Sequence, residues 1–260
     1  MIRRVVLLVD IGNTMTSLGL GSGRRVIRVH RTRTRMQNVT TVQRELHDQT
    51  QGVAIEGAIL ASVVPQMTPV WLDGLAHIGI EGPLLVSHKI KLGVGIDYPK
   101  PERIGADRLA NATAAVERFG APVVVADFGT ALTFDVVTRD AVYAGGIIAP
   151  GLPLMTEYLA ERTALLPHVK LQKVRHGVGK STAEAMRIGA KVGYAGIVRE
   201  IFTHLKKTLQ ERNLKICATG GYAEWALADT GLKVEIVPNL TLFGLRRIYD
   251  LNVSVDDPRR

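Results

Sequence analysis

Two segments of this 260-residue chain share one pattern, and their aspartates, Asp10 and Asp127, lie 117 positions apart (127 minus 10). In the first, the apolar run Val5 to Val9 delivers Asp10 into Gly12, Asn13 and Thr14 before apolar character resumes at Leu18. In the second, Ala121 to Val137 (APVVVADFGTALTFDVV) repeats the order of apolar run, aspartate, glycine, hydroxyl residues and apolar run. Setting Asp127 over Asp10 puts Gly129 over Gly12, Thr130 over Asn13 and Thr133 over Thr16. Each segment reads as strand, tight turn, strand. A single turn of this kind is an ordinary hairpin. Two with matching flanks mark an internal duplication, which restricts the chain to folds made of two related halves. The turn chemistry suits phosphate: glycine lets the backbone approach an anion, Asn and Thr supply short donors, and a carboxylate at a strand end can hold hydrated magnesium.

The rest of the composition narrows the class. Cys217 is the one cysteine, so neither a disulfide nor a cysteine metal cluster can form within the chain, and a cytoplasmic protein is expected. The start, MIRRVVLLVD, superficially resembles a secretory signal, but the apolar run before Asp10 is only five residues long. That is too short for a signal core or a membrane span. Net charge is +9, concentrated in Arg24 to Arg35 (RRVIRVHRTRTR) and the tail Pro258 to Arg260. Arg31, Arg33 and Arg35 alternate with His30, Thr32 and Thr34, as on an exposed edge strand guarded by charge. Aromatics make up 5% of the chain and none interleave with those arginines, so no nucleic-acid partner is expected. The excess positive charge can instead attract small anions.

Along the chain, Arg24 to Arg35 continues an N-terminal sheet and Val39 to Thr50 reads as an amphipathic helix. Ala58 to Val64 reads as a buried strand ended by Pro65, Thr68 to Ile78 as a helix, and Leu84 to Ser87 as a strand. Pro99, Pro101 and Gly105 then forbid regular structure until LANATAAVERF, a strong helical stretch. Asp107 and Arg108 fall in its first turn. Asp107 there is either a charge favourable to the helix N-terminus or a base held at a rigid loop-to-helix junction, with Arg108 to grip an anion. Tyr143 to Gly151 adds a third strand to the second hairpin.

Gly177 to Thr182 (GVGKST) has the ending of a P-loop, but the required first glycine is replaced by Val174 and no buried strand precedes it. Thr182 is expected to cap a helix running to about Glu211, in which Gly189, Gly193 and Gly196 share one side. That side packs either within the subunit or against a second copy. Lys215 to Ala223 (KICATGGYA) is a strand breaking into Gly220 and Gly221, where an open α/β sheet receives a nucleotide, and Val237 to Asp250 reads as a closing helix.

These segments together resemble the actin, hexokinase and Hsp70 superfamily and, within it, type III pantothenate kinases. The resemblance rests on DIGNT (Asp10 to Thr14), ASVVP (Ala61 to Pro65), Tyr98 to Arg108 ending in GADR, DFGTALTFD (Asp127 to Asp135), GGIIAPG (Gly145 to Gly151), Leu166-Pro167, Ser181 to Gly189, and TGGYA (Thr219 to Ala223). It implies an α/β fold of duplicated ribonuclease H-like, actin-like ATPase domains with a cleft between them, divided at about residues 1–114 and 115–260, with the last helix able to pack back on the first half. It implies ATP-dependent phosphorylation of pantothenate to 4'-phosphopantothenate, the first step of coenzyme A biosynthesis. The alternative is a nucleotide-binding regulatory relative without kinase activity.

The same resemblance assigns roles. Asp10, Ile11, Gly12, Asn13, Thr14, Met15, Thr16 and Ser17 would hold the ATP phosphates, with Asp10 anchoring Mg2+ through water and Met15 at a position where the family varies. Thr130 would touch the γ-phosphate region, while Gly220 and Gly221 would take the adenosine. Asp107 would be the general base. Tyr98, Gly105, Ala106, Arg108 and Thr182 would join it in lining the pantothenate pocket, part of it supplied by a partner subunit in a homodimer. Asp127 would bind the monovalent cation, K+ or NH4+, on which the family depends.

Overall fold

A computed structural model describes residues 5–172 and 177–253, apart from the Met36 side chain. Val174, on which the P-loop reading turned, and the basic tail lie outside the described residues. In chain order the first elements are β1 (Val5–Ile11), β2 (Met15–Ser22), β3 (Arg25–Arg33), α1 (Val39–Thr50), β4 (Ile55–Ser62), α2 (Met67–His77), β5 (Leu84–Leu85), β6 (Gly95–Ile96) and α3 (Ala106–Phe119). They are followed by β7 (Val123–Phe128), β8 (Ala131–Val137), β9 (Val142–Pro150), α4 (Leu152–Arg162), α5 (Thr182–Leu209), β10 (Lys215–Thr219), α6 (Ala223–Leu227), β11 (Glu235–Ile236) and α7 (Leu240–Asn252).

Two compact units result. One holds the chain up to Gly120, Val137–Ala144 and the segment from Asn239 onward; the other holds Ala121–Val136 and Gly145–Pro238. Residues 114 and 115, between which the sequence reading set its boundary, both lie inside α3. A continuous helix is one rigid element, so the division falls after it.

In the first unit the sheet order is β3-β2-β1-β4-β5. The other sheet runs β6-β9-β8-β7-β10-β11, and its last five strands repeat that order with each strand replaced by its counterpart. Pairing agrees: β1 runs parallel to β4 with Asp10 beside Ala61, and β7 runs parallel to β10 with Asp127 beside Thr219. The duplication inferred from two hairpins therefore extends to whole sheets.

Packing explains the element choices. Leu7, Leu8 and Val9 of β1 are fully buried, as a central strand covered on both faces requires. Asn38 begins α1 with a capping box, its side chain accepting from the Thr41 N–H while Thr41 reaches back to the Asn38 N–H. Trp71 of α2 is fully buried with Val42 and Leu46 of α1, and burying each such side chain contributes about 2 kcal/mol. The closing helix α7 lies in the first unit, where a Cβ on Gly244 would fall 2.5 Å from the Ala110 carbonyl carbon of α3. Only glycine permits that helix approach. Among the described residues no helix is long and apolar enough to cross a membrane.

Candidate active site

The first hairpin is built as the sequence predicts, with the ladder ending at Ile11 opposite Thr16. The Gly12 N–H donates to the Met15 carbonyl at 3.1 Å, and a Cβ on Gly12 would come within 2.9 Å of that oxygen. Glycine is therefore required for the turn to close. Asn13, Thr14 and Met15 are exposed, whereas Asp10 and Ser17, cross-strand partners, are half-buried. Ile11 and Thr16 have fully buried side chains, so any contact they make with a nucleotide falls to their backbone.

Asp107 stands in the first turn of α3, whose N-cap is Gly105. A 3-10 turn at Pro101–Arg103 stiffens the approach. The Arg108 N–H donates to Asp107 Oδ1 at 2.8 Å. Burial pushes the Asp107 carboxyl above the usual carboxylate range, against the opposing pull of the Arg108 N–H, the Arg108 charge and the residue's own N–H. A carboxylate raised in this way is a stronger proton acceptor, while Arg108 beside it keeps an anion-binding charge. The Arg108 guanidinium lies 5.8 Å from the centre of the Tyr143 ring, and Tyr143 in turn meets Tyr98 at 6.3 Å between centroids. Tyr143 is fully buried and Tyr98 exposed, giving an aromatic floor with one open wall.

Contacts tie this loop to the first hairpin. A Cβ on Gly105 would lie 3.4 Å from Val63 Cγ1, and the Val63 N–H donates to the Ile11 carbonyl at 3.0 Å. The Asp107 loop is thus braced on the strand end that carries Asp10.

In the second unit the hairpin is tighter by one residue: the Gly129 N–H donates to the Ala131 carbonyl at 3.1 Å, leaving Thr130 alone at an exposed tip. Gly220, with φ of +93°, presses on this hairpin, since a Cβ there would lie 2.5 Å from the Phe128 carbonyl carbon and 2.6 Å from Asp127 Oδ1. The Tyr222 N–H donates to the Phe128 carbonyl at 3.2 Å. The strand-Gly-Gly segment and the second hairpin are therefore one packed motif. A Cβ on Gly221 would meet nothing within 4 Å among the described residues. Behind it, Lys191 of α5 donates to the Trp225 carbonyl at 2.8 Å, pairs with Asp229 at 3.0 Å and stands 4.0 Å from the Trp225 ring centre, which anchors α6. Tyr194, fully buried on α5, is held protonated first by burial and also by the nearby Asp127 charge.

Thr182 belongs to this second unit, apart from the five other residues expected in the pantothenate pocket. It is the first residue of α5, and Ser181 rather than Thr182 is the cap, its Oγ accepting from the Glu184 N–H at 3.2 Å. Thr182 lines a cavity of about 360 Å³ with Met155, Leu159, Leu166, Met186 and Gly189. Tyr143, Tyr194 and Lys191 escaped the sequence reading because no local pattern marks a residue that acts by lying under another.

Two sheets sharing one five-strand order, each with an Asp-Gly hairpin, define the actin-like ATPase fold. Among solved structures, a ROK family glucokinase from Streptomyces griseus in complex with glucose and AMPPNP has this architecture, with a TM-score of 0.54 at 14% identity over 95% of this chain and 99% of that one. The family model for type III pantothenate kinases matches residues 6–204. The chain is 41% identical to the type III pantothenate kinase of Akkermansia muciniphila over 95% of its own length and 99% of that protein. It is 37% identical to that of Streptomyces avermitilis over 96% and 99%. The chain belongs to the type III pantothenate kinase family.

Proposed function

We propose that the chain transfers the γ-phosphoryl group of ATP to the primary hydroxyl of pantothenate, giving 4'-phosphopantothenate and ADP, with Asp107 as general base. The observation that carries this reading is Asp107 itself: a carboxylate raised by burial, on a stiff loop, beside an arginine. A purely regulatory nucleotide binder has no use for such a group.

Phosphoryl transfer rests on positioning and charge neutralisation more than on covalent chemistry. Asp107 accepts the hydroxyl proton as that oxygen bonds to the γ-phosphorus and the bond to the bridging oxygen of ADP breaks. Arg108 holds the pantothenate carboxylate or the developing charge, and Tyr98, Gly105 and Ala106 form the wall around it. Thr182 contributes to a pantothenate pocket, and we assign that contribution to a partner subunit. The Gly12–Ser17 turn and Thr130 contact phosphates, and Gly220 with Gly221 receives the adenosine.

Among the described residues no three metal-binding side chains converge. One carboxylate, Asp10, fits a magnesium ion that arrives with the nucleotide and keeps its waters. When bound, that ion offsets charge on the β- and γ-phosphates. Asp127, half-buried against the Gly220 backbone, is an oxygen donor suited to a monovalent cation, K+ or NH4+. A reducing cytoplasm suits the single buried cysteine, Cys217.

Pantothenate-dependent ADP release, measured in potassium and in sodium, tests the reading. Release should require pantothenate, and sodium should not replace potassium. Release indifferent to pantothenate overturns the function; equal rates in the two salts remove Asp127 as a selective cation site.

A homodimer accompanies this proposal. Among the described residues a Cβ on Gly189 or Gly196 would meet nothing within 4 Å and one on Gly193 only the end of Met155 at 3.9 Å, so the glycine side of α5 is sparsely covered by its own chain. Leu159, which lines the Thr182 cavity, and Leu154, Tyr158 and Leu165 near it in sequence are all exposed, more apolar side chains than a monomer usually leaves in water in one stretch. Light scattering should return twice the 28.3 kDa chain mass, and a monomer at assay concentrations would count against the dimer.

A further inference from the structure

The underside of the first hairpin carries a buried polar chain that the reaction does not use directly. Thr16 and Trp71 are fully buried and Thr34 is 1% exposed. Thr34, just past the end of β3, donates its hydroxyl to the Gly12 carbonyl at 2.7 Å, and its N–H donates to the Thr14 carbonyl at 3.0 Å. The Thr16 and Thr34 hydroxyls are 2.9 Å apart, and Thr16 also reaches Gln37 Oε1 at 3.2 Å. The same Gln37 oxygen accepts from Trp71 Nε1 at 3.1 Å, while Gln37 Nε2 donates to Glu45 at 3.1 Å.

Proton bookkeeping gives the chain a direction. The Thr34 proton is committed to the Gly12 carbonyl, so its oxygen can only accept from Thr16, whose single hydroxyl proton is then shared between Thr34 Oγ1 and Gln37 Oε1. Gln37 is oriented from both ends, by the indole N–H and by Glu45. The line terminates on two carbonyls of the turn, that of Gly12 through the Thr34 hydroxyl and that of Thr14 through the Thr34 N–H. A trans peptide points its N–H opposite its C=O. Drawing the Gly12 and Thr14 carbonyls toward Thr34 thus turns the Asn13 and Met15 N–H groups the other way, away from Thr34. N–H groups of one turn aimed the same way can form an anion-binding concavity.

We infer that Thr34 is a positioning residue for the nucleotide: with Thr16, Gln37 and Trp71 it locks the peptide planes of the Gly12–Met15 turn so that their N–H groups meet the ATP phosphates. The inference rests on the hairpin being the phosphate site. It also gives β3 a second task besides guarding the sheet edge. The basic strand delivers Thr34 to the turn, with Arg33 paired opposite Met15 in the ladder.

The test is steady-state kinetics of Thr34→Val and Thr34→Ser with both substrates varied, alongside thermal melts. Valine keeps the shape and removes the hydroxyl, so KM for ATP should rise about tenfold while KM for pantothenate stays within about twofold. Serine keeps the hydroxyl and should restore KM for ATP. A merely structural role would lower the melting temperature or the active fraction, which reduces kcat and leaves KM for ATP alone. If Thr34→Val does not fold, Gln37→Met at a half-buried position carries the same test, with a smaller rise in KM for ATP. An unchanged KM for ATP, or equal changes for both substrates, overturns the inference. Asp10→Asn separates the two layers: if it leaves ATP kinetics untouched, the hairpin is not the phosphate site; if it impairs them while Thr34→Val does not, only the role of Thr34 fails.

Discussion

Asp107→Asn should lower kcat by about three orders of magnitude, at the level general bases contribute, while the protein stays folded and binds ATP. Asparagine matches the shape of aspartate and can still accept the Arg108 N–H through its carbonyl oxygen, so the helix start is preserved. What it cannot do is take a proton. The pH dependence gives an independent reading. Catalysis needs the ionised form, so kcat/KM should climb with pH through a value above the usual carboxylate range, because burial raises the Asp107 pKa from 3.8. The stability sign is opposite. A carboxyl with a raised folded pKa holds its proton more tightly folded than unfolded. Its contribution is present at low pH and is lost as pH rises from 3.8 through the raised value. Asparagine has no charge to desolvate, so the variant should lose that pH dependence and melt no lower than the parent at neutral pH. Near-parental turnover in Asp107→Asn would remove Asp107 as the base.

Gly220→Ala is the second change with a large expected effect, and here the loss begins with folding. The residue has φ of +93°, which an L side chain rarely adopts, and its Cβ would sit 2.5 Å from the Phe128 carbonyl carbon. Backbone cannot swing away as a side chain can. Strain and overpacking together should cost about 2–5 kcal/mol. Calorimetry should show the loss as a fall in melting temperature of roughly 5–15 °C, at a few degrees per kcal/mol for a protein of this size. The surviving folded fraction should bind ATP weakly, since Asp127 Oδ1 lies 2.6 Å from the same Cβ. Gly221→Ala, with nothing within 4 Å of its Cβ, is the matched control for folding. A melting temperature unchanged in Gly220→Ala would refute the packing argument.

These cases separate what can be read locally from what cannot. The bounds of α1 coincide with Val39 to Thr50 as the sequence predicts, because the capping box and apolar spacing lie within the element. The strand expected over Ala58 to Val64 instead spans Ile55–Ser62. Its start is set by pairing with β1, in which Val5 lies beside Ile55, and not by its own apolar run. Leu84 to Ser87 shrinks to two residues for the same reason, since only Leu84 and Leu85 pair with β4. Asp10, Asp107 and Asp127 stand out in the sequence because each sits where an apolar run or a proline-rich loop breaks. Thr34 was read only as one residue of a basic strand, although its hydroxyl holds the Gly12 carbonyl of the first turn.

By itself the sequence determined the duplication, the two Asp-Gly turns, the loop-to-helix placement of Asp107 and the glycine pair after β10. Each depends on neighbours within a few residues, where backbone sterics and hydrogen bonding act. Only the tertiary structure decided that Tyr143 underlies Arg108, that Gly220 presses on Phe128, and that Thr34, Gln37 and Trp71 hold the first turn from below. Those contacts join residues tens of positions apart, and they exist because burial leaves each polar group only the partner that the packed chain brings to it.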